Sequence, residues 1–114
     1  ITPCKFSKML CYGSFPFIEH ERVESMLALL NRNFPNLDLA FIGNCPDKDS
    51  LADFYGDREF EPGSENNPDS SIGIWRTQDE FVSLAKRCGW QAIIHRMPRQ
   101  YYAAHYRYDV ILSR

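Results

Sequence analysis

KMLCYGSFPFI, residues 8–18, is an apolar run that breaks at a glycine and then continues into a second apolar patch. A near-continuous apolar run of this length is typical of a strand that is covered on both faces, as parallel strands are. Gly13 and Ser14 end the run because they favour turns. The sequence therefore predicts a buried parallel strand over residues 8–15, with its carboxyl end at a polar turn.

A helix and then a second apolar strand follow this run. Residues 19–34 predict an amphipathic helix, and residues 37–42 predict a second strand that ends at Gly43 and Asn44. Pro35 separates the two elements. A strand, a helix and a strand with short joints form a right-handed unit with parallel strands. Both carboxyl ends then meet at one edge of a sheet, where open α/β folds bind ligands.

A long connection, residues 44–76, comes next and is rich in Gly, Pro, Asp, Asn and Ser. A connection of this length inside a compact domain is either functional or disordered. We expect a lid or a substrate-facing insertion, with a short helix over residues 49–55. An idle, solvated loop is the alternative.

Thr77 begins the second clear helix, residues 77–88, and Glu80 completes a capping box with it. Gly89 occupies the position where a left-handed residue ends a helix. Strands are predicted over residues 90–97 and 105–113. Because the connection between them has no room for a helical crossover, they are expected to be antiparallel.

Composition limits the class of protein. The chain has 114 residues, enough for a single domain over residues 1–114, and its formal net charge is −2. That charge argues against a nucleic-acid partner, and no apolar run is long enough to span a bilayer. Four cysteines without CxxC spacing predict free thiols and a cytoplasmic setting, and the histidines and cysteines show no metal-ligand spacing.

Five motifs in this order resemble a known family: CYGSF, IGNCPD, WRTQDEF, CGW and YDVILSR. The chain resembles the C-terminal half of class I S-adenosylmethionine-dependent methyltransferases, from their fourth strand to their antiparallel seventh. The resemblance implies an α/β, partial Rossmann-like methyltransferase fold. It implies a mixed sheet of about four strands with the last strand antiparallel, and helices mainly on one face.

The resemblance also implies site residues. The end of the family's fourth strand borders the cofactor S-adenosylmethionine, which assigns Tyr12, Gly13, Ser14 and Phe15 to cofactor binding. The family's glycine-rich turn and its acidic ribose-binding residue would lie upstream of Ile1, so this chain is expected to be a fragment with half of the site.

Two residues are candidates for catalysis. Asp47 would follow the family's fifth strand, where a carboxylate orients a hydroxyl or acts as a general base, although such a residue also caps turns. His105, on the last predicted strand beside several tyrosines, is the best acid–base candidate among the histidines, and a structural role is the alternative. No metal ligand is predicted.

Two functions are compatible with these observations. The first is methyl transfer to a small-molecule substrate by the complete protein, with this chain as the substrate-side half. The second is a non-catalytic fragment or dimerisation module of the same fold. One sheet face would be left uncovered in either case, so we expect association with a second copy or with the missing N-terminal half.

Overall fold

A computed structural model describes residues 2–114. Four strands form one sheet: β1 (Lys8–Tyr12), β2 (Leu39–Pro46), β3 (Gln91–His95) and β4 (Arg107–Ser113). Three α-helices accompany them: α1 (His20–Asn33), α2 (Leu51–Tyr55) and α3 (Gln78–Arg87). Short 3-10 helices cover Pro3–Lys5, Phe15–Phe17, Lys48–Ser50, Ser64–Asn66 and Tyr102–His105.

The sheet is mixed and has the spatial order β1-β2-β4-β3. Strands β1 and β2 are parallel, and β4 is antiparallel to both of its neighbours. The last strand is therefore inserted between β2 and β3. This arrangement confirms the predicted α/β fold, with about four strands of which the last is antiparallel.

Helices α1 and α3 cover one face of the sheet. Val23 and Leu27 of α1 and Phe81 and Leu84 of α3 are fully buried. They belong to one core cluster with Ile42, Val110 and Leu112 of the central strands. Both helices present apolar residues at three- and four-residue spacing, so one stripe of each helix is buried against the strands.

The opposite face carries an apolar row that none of the helices within residues 2–114 covers. Leu10 pairs with Phe41, Phe41 with Ile111, and Ile111 with Ile93. Since successive strand residues point to opposite faces, these four side chains stand side by side, and we call them the open-face row. Leu10 is 73% exposed and Ile93 is 61% exposed.

The carboxyl ends of the two parallel strands differ from the prediction. Strand β1 ends at Tyr12 instead of Phe15, because Gly13 has φ +75° and leaves the extended conformation. Strand β2 continues to Pro46, because β4 pairs with it again beyond an irregularity between Ile42 and Cys45.

The prediction that His105 begins the last strand is wrong. His105 is the last residue of the 3-10 helix Tyr102–His105, and β4 begins at Arg107. The Tyr106 N–H donates to the Ala103 carbonyl, which keeps this turn folded up to the strand. The apparent alternation around residue 105 therefore belongs to a turn and not to a strand.

Residues 44–76 are anchored at both ends. A β-bridge joins Asp47 to Arg76, and the Ile74 N–H donates to the Pro16 carbonyl. The ring centroid of Phe54, in this segment, lies 5.3 Å from that of Trp75 and 4.5 Å from that of Tyr106. Aromatic packing thus connects the segment to the turn before β4. Its role as a lid stays a prediction.

Candidate functional site

The carboxyl ends of β1 and β2 meet at one edge of the sheet. The Gly13 N–H donates to the Gly43 carbonyl at 3.1 Å. The Tyr12 ring lies over Gly43, since a Cβ at that glycine would be 2.5 Å from a ring carbon of Tyr12. Tyr12 is still 60% exposed. The glycine therefore makes room for an accessible aromatic ring at this edge.

Phe15, the fourth predicted cofactor residue, has a different environment. It is fully buried, and its ring centroid lies 5.2 Å from that of Phe81 in the core. The Arg76 guanidinium lies 5.6 Å from the same ring. Tyr12, Gly13 and Ser14 are thus the members of the predicted set that reach the surface, while Phe15 supports them from the core.

Asn44 lies within β2, at the irregularity between Ile42 and Cys45, and has φ +68°, the only positive value among the described residues other than glycine. Its N–H donates to Oδ1 of Asp109 at 2.9 Å, and its carbonyl accepts from Nη1 of Arg107 at 2.6 Å. The His95 ring Nδ1 lies 3.7 Å from the other Asp109 oxygen. These contacts hold Asn44 in a conformation that is costly for a residue with a side chain.

Asp47 is 2% exposed, and its carboxylate accepts several hydrogen bonds. Oδ1 accepts from the Asp49 N–H at 3.1 Å. Oδ2 accepts from Nε2 of Gln78 at 3.0 Å and from Nη1 of Arg96 at 3.1 Å. A buried carboxylate with this many donors is held firmly in place. It therefore joins the strand end to α3 and to the residue that follows β3.

His105 is exposed and lies beside two surface cavities. One cavity, of about 460 Å³, is also lined by Arg96 and Arg99. The other, of about 270 Å³, is also lined by Phe54 and Tyr106. Arg96 connects the two predicted catalytic positions, because Nη2 donates to the carbonyl of Ala104, the residue before His105. No hydrogen bond among residues 2–114 joins His105 to Asp47 directly.

Sequence reasoning missed Arg76, which lines a cavity of about 350 Å³. This arginine is 4% exposed, and burial lowers the pKa of its guanidinium. Nη2 donates to the Ile18 carbonyl at 3.3 Å, while the buried Nε has no partner among the described residues. An arginine one residue before a helix cap gives no sequence signal of burial.

Cys45 and Tyr108 lie behind the strand ends as neutral core groups. Burial raises the pKa of the Cys45 thiol to about 12, and burial also raises the pKa of the Tyr108 hydroxyl well above its ordinary value. The Tyr108 hydroxyl donates to the Arg76 carbonyl at 3.0 Å. A protonated thiol is a poor nucleophile, so Cys45 has a packing role.

Three further properties concern the described part of the chain. All four cysteines are free. Residues 2–114 contain no group of three His, Cys, Asp or Glu side chains arranged to hold a metal ion. Within the same range, no helix has the length and apolarity that crossing a membrane requires.

Comparison with known proteins identifies the class of fold. The first match, at a TM-score of 0.63 and 11% identity, is magnesium protoporphyrin IX methyltransferase from Synechocystis PCC 6803 with bound SAH. The second match, at a TM-score of 0.57 and 10% sequence identity, is the methyltransferase domain of bacterial CtHen1-C. The likeness covers 96% and 95% of this chain but only 45% and 52% of those chains.

The chain therefore has a methyltransferase fold and spans about half the length of these two structures. This result confirms the resemblance at the level of the fold. No protein-family model matches the sequence, and no curated protein matches it.

Proposed function

We propose that this chain is the substrate-side half of a methyltransferase that transfers a methyl group from S-adenosylmethionine to a small molecule. One observation carries the proposal. The strand order is β1-β2-β4-β3, with an antiparallel strand inserted next to a parallel pair. The structural similarity to a methyltransferase includes this sheet and covers almost the whole chain. One of the two methyltransferases in that likeness contains SAH.

The residues at the sheet edge fit one wall of a cofactor site. Tyr12 presents an exposed ring, and the half-buried Gly13 and the exposed Ser14 follow it in a turn. An aromatic ring attracts cations, and the sulfonium that would supply the methyl group is a cation. In this proposal Tyr12 orients the reactive end of the cofactor, and Phe15 keeps the turn in place from below.

The two candidate catalytic residues have separate roles in this proposal. His105 is exposed beside two cavities and accepts a proton from the substrate nucleophile. Asp47 is a positioning residue, because its carboxylate holds Arg96, which in turn holds the carbonyl of Ala104 next to His105. A cytoplasmic location of the complete protein remains a prediction.

The open-face row indicates where the rest of the site would attach. Leu10, Phe41, Ile111 and Ile93 form an apolar row across all four strands, and uncovered apolar faces mark association surfaces. We propose that the missing N-terminal half covers this face. The same observation favours a second candidate function, a non-catalytic dimerisation module in which a second copy covers the face.

A calorimetric titration of S-adenosylmethionine into the purified chain, with the sizing profile of the same sample, tests the proposal. We expect no saturable heat from the chain alone and saturable heat after addition of a separately produced N-terminal half. Tyr12→Ala should weaken that binding, whereas Tyr101→Ala, at a similarly exposed tyrosine, should not. A stable dimer that binds no cofactor in either case would favour the dimerisation module.

A further inference from the structure

Arg76 is a buried cation without an internal counterion. It is 4% exposed, and no ion pair of the described residues includes it. Of its N–H donors, one reaches the Ile18 carbonyl, and Nε is enclosed without a hydrogen-bond partner in the part of the chain that the structure describes. Burying a charge in this way costs free energy unless a partner is supplied.

The cavity beside Arg76 has room for that partner. It measures about 350 Å³, which lies in the range of small-molecule sites. Its wall includes the apolar side chains of Ile74, Trp75 and Pro68 as well as polar ones. It lies near the carboxyl end of β1, because the Ile74 N–H donates to the Pro16 carbonyl just after that strand.

Two acidic residues line the same cavity, and neither forms an ion pair with Arg76. Glu80 Oε1 accepts the Thr77 N–H at 3.4 Å as part of the capping box of α3. Glu19 precedes α1 at the other side of the cavity. Neither carboxylate comes within ion-pair distance of the guanidinium. Both carboxylates repel an anion in the cavity, and they repel a doubly charged one such as phosphate more strongly than a singly charged one.

We infer that the Arg76 cavity binds a small organic monocarboxylate, with the carboxylate on the guanidinium and the apolar body against Trp75 and Ile74. An arginine binds a planar carboxylate through parallel N–H donors, and such charge-assisted bonds are strong. The inference rests on the proposed function in one respect: if the complete protein is a methyltransferase, small organic monocarboxylates are its class of substrate. The binding site itself consists of this chain's own residues.

Benzoate is a suitable probe, and benzamide is its neutral counterpart of equal shape. The ¹⁵N-labelled 114-residue chain is titrated with each compound without cofactor, and amide and indole signals are followed by NMR. We expect benzoate to shift the backbone signals of residues 74–76 and the indole signal of Trp75 in a saturable manner. The indole signal of Trp90 serves as an internal reference, since its Nε1–H donates to the Leu27 carbonyl in the core.

Two variants and one control separate the site from a general effect. Arg76→Gln should weaken benzoate binding by about tenfold or more, because the charge-assisted bonds are lost. Arg76→Lys keeps the charge and should retain part of the affinity. Arg58→Gln should change nothing, because Arg58 stacks on Phe54 away from this cavity.

The comparison of benzoate with benzamide and inorganic phosphate uses the unaltered chain, so it does not depend on whether a variant folds. Equal shifts from benzamide, or tighter binding of phosphate, would overturn the inference. Benzoate binding together with absent cofactor binding by the reassembled halves would contradict the proposed methyl transfer and leave the carboxylate site intact. Cofactor binding without benzoate shifts would contradict the carboxylate site and leave the proposed methyl transfer intact.

Discussion

The two faces of the sheet share one backbone and similar apolar side chains, and they differ in how deeply those side chains are buried. On the face covered by α1 and α3, Leu112 is fully buried, whereas Leu10 on the other face is 73% exposed. Alternate residues of the same strands serve both faces, because side chains alternate along a strand. The difference shows that the helices among residues 2–114 bury one face of the sheet and leave an apolar row exposed on the other.

The largest expected difference between the faces concerns stability. Leu112→Ala should lower the free energy of unfolding by about 2–5 kcal/mol, because it leaves a cavity in the core. Leu10→Ala removes the same atoms from the open-face row and should change the free energy of unfolding by less than about 0.5 kcal/mol. Urea denaturation of both variants measures this contrast.

Repeating that denaturation at two protein concentrations sharpens the contrast. If a second copy covers the open-face row, the cost of Leu10→Ala should rise with protein concentration, because folding is then linked to association. Equal costs for the two leucines at every concentration would contradict the assignment of covered and open faces.

The covered side also predicts a loss of stability at alkaline pH. Burial raises the pKa of the folded Cys45 thiol from 9.0 to about 12, so between these values the unfolded chain releases a proton that the folded chain keeps. Stability is therefore complete below pH 9 and falls above it, by about 1.4 kcal/mol per pH unit for each such group. Tyr108, whose pKa burial also raises, adds to the loss at higher pH.

Unfolding midpoints measured from pH 8 to pH 10.5 follow this effect. Cys45→Ala should flatten the alkaline slope, since it removes one of the responsible groups. Cys4→Ala, at an exposed thiol, should leave the slope as it is. An alkaline slope that is unchanged in Cys45→Ala would show that water reaches this thiol in the folded chain.

The cap of α3 should contribute a smaller amount. The Thr77 hydroxyl accepts the Glu80 N–H at 3.0 Å, and the Glu80 side chain completes the capping box. Thr77→Ala should lower the free energy of unfolding by about 1 kcal/mol, and Thr77→Ser should restore most of it. Thermal denaturation of the two variants compares them. A Thr77→Ser variant as unstable as Thr77→Ala would show that the methyl group matters more than the hydroxyl.

The smallest effect on stability is expected on the open face, where association should change instead. Ile93→Lys should shift the free energy of unfolding by less than about 0.5 kcal/mol, because Ile93 is 61% exposed. It should nevertheless weaken association with a second copy or with the N-terminal half, since a charge enters the open-face row. Analytical ultracentrifugation measures the association.

Gln91→Lys adds the same charge to the same exposed strand and should leave association largely unchanged. Gln91 pairs with Ser113, outside the open-face row. If both lysine variants weaken association equally, net charge and not the apolar row controls it.

The strongest local patterns in the sequence predicted their elements well. The capping box at Thr77 and Glu80 predicted the bounds of α3 to within a residue or two, and the apolar stripe over residues 19–34 predicted α1. Both signals are local, because helix caps and helical periodicity depend on neighbours within one or two turns. The parallel pair β1 and β2 followed from the short joints around α1.

The site was less accessible to sequence reasoning. The burial of Phe15 against Phe81 and the left-handed conformation of Asn44 depend on residues far along the chain. The Asn44 N–H meets Asp109, 65 residues away. No local pattern encodes such a pairing.

The sequence by itself determined the order of the elements, the capped and amphipathic helices and the antiparallel last strand, because these follow from periodicity, turn residues and connection length. Only the tertiary structure decided that β4 enters between β2 and β3, which side chains form the open-face row and that Arg76 is buried beside a cavity. These features arise from contacts between distant segments, whose free energies depend on packing and desolvation and not on any single stretch of residues.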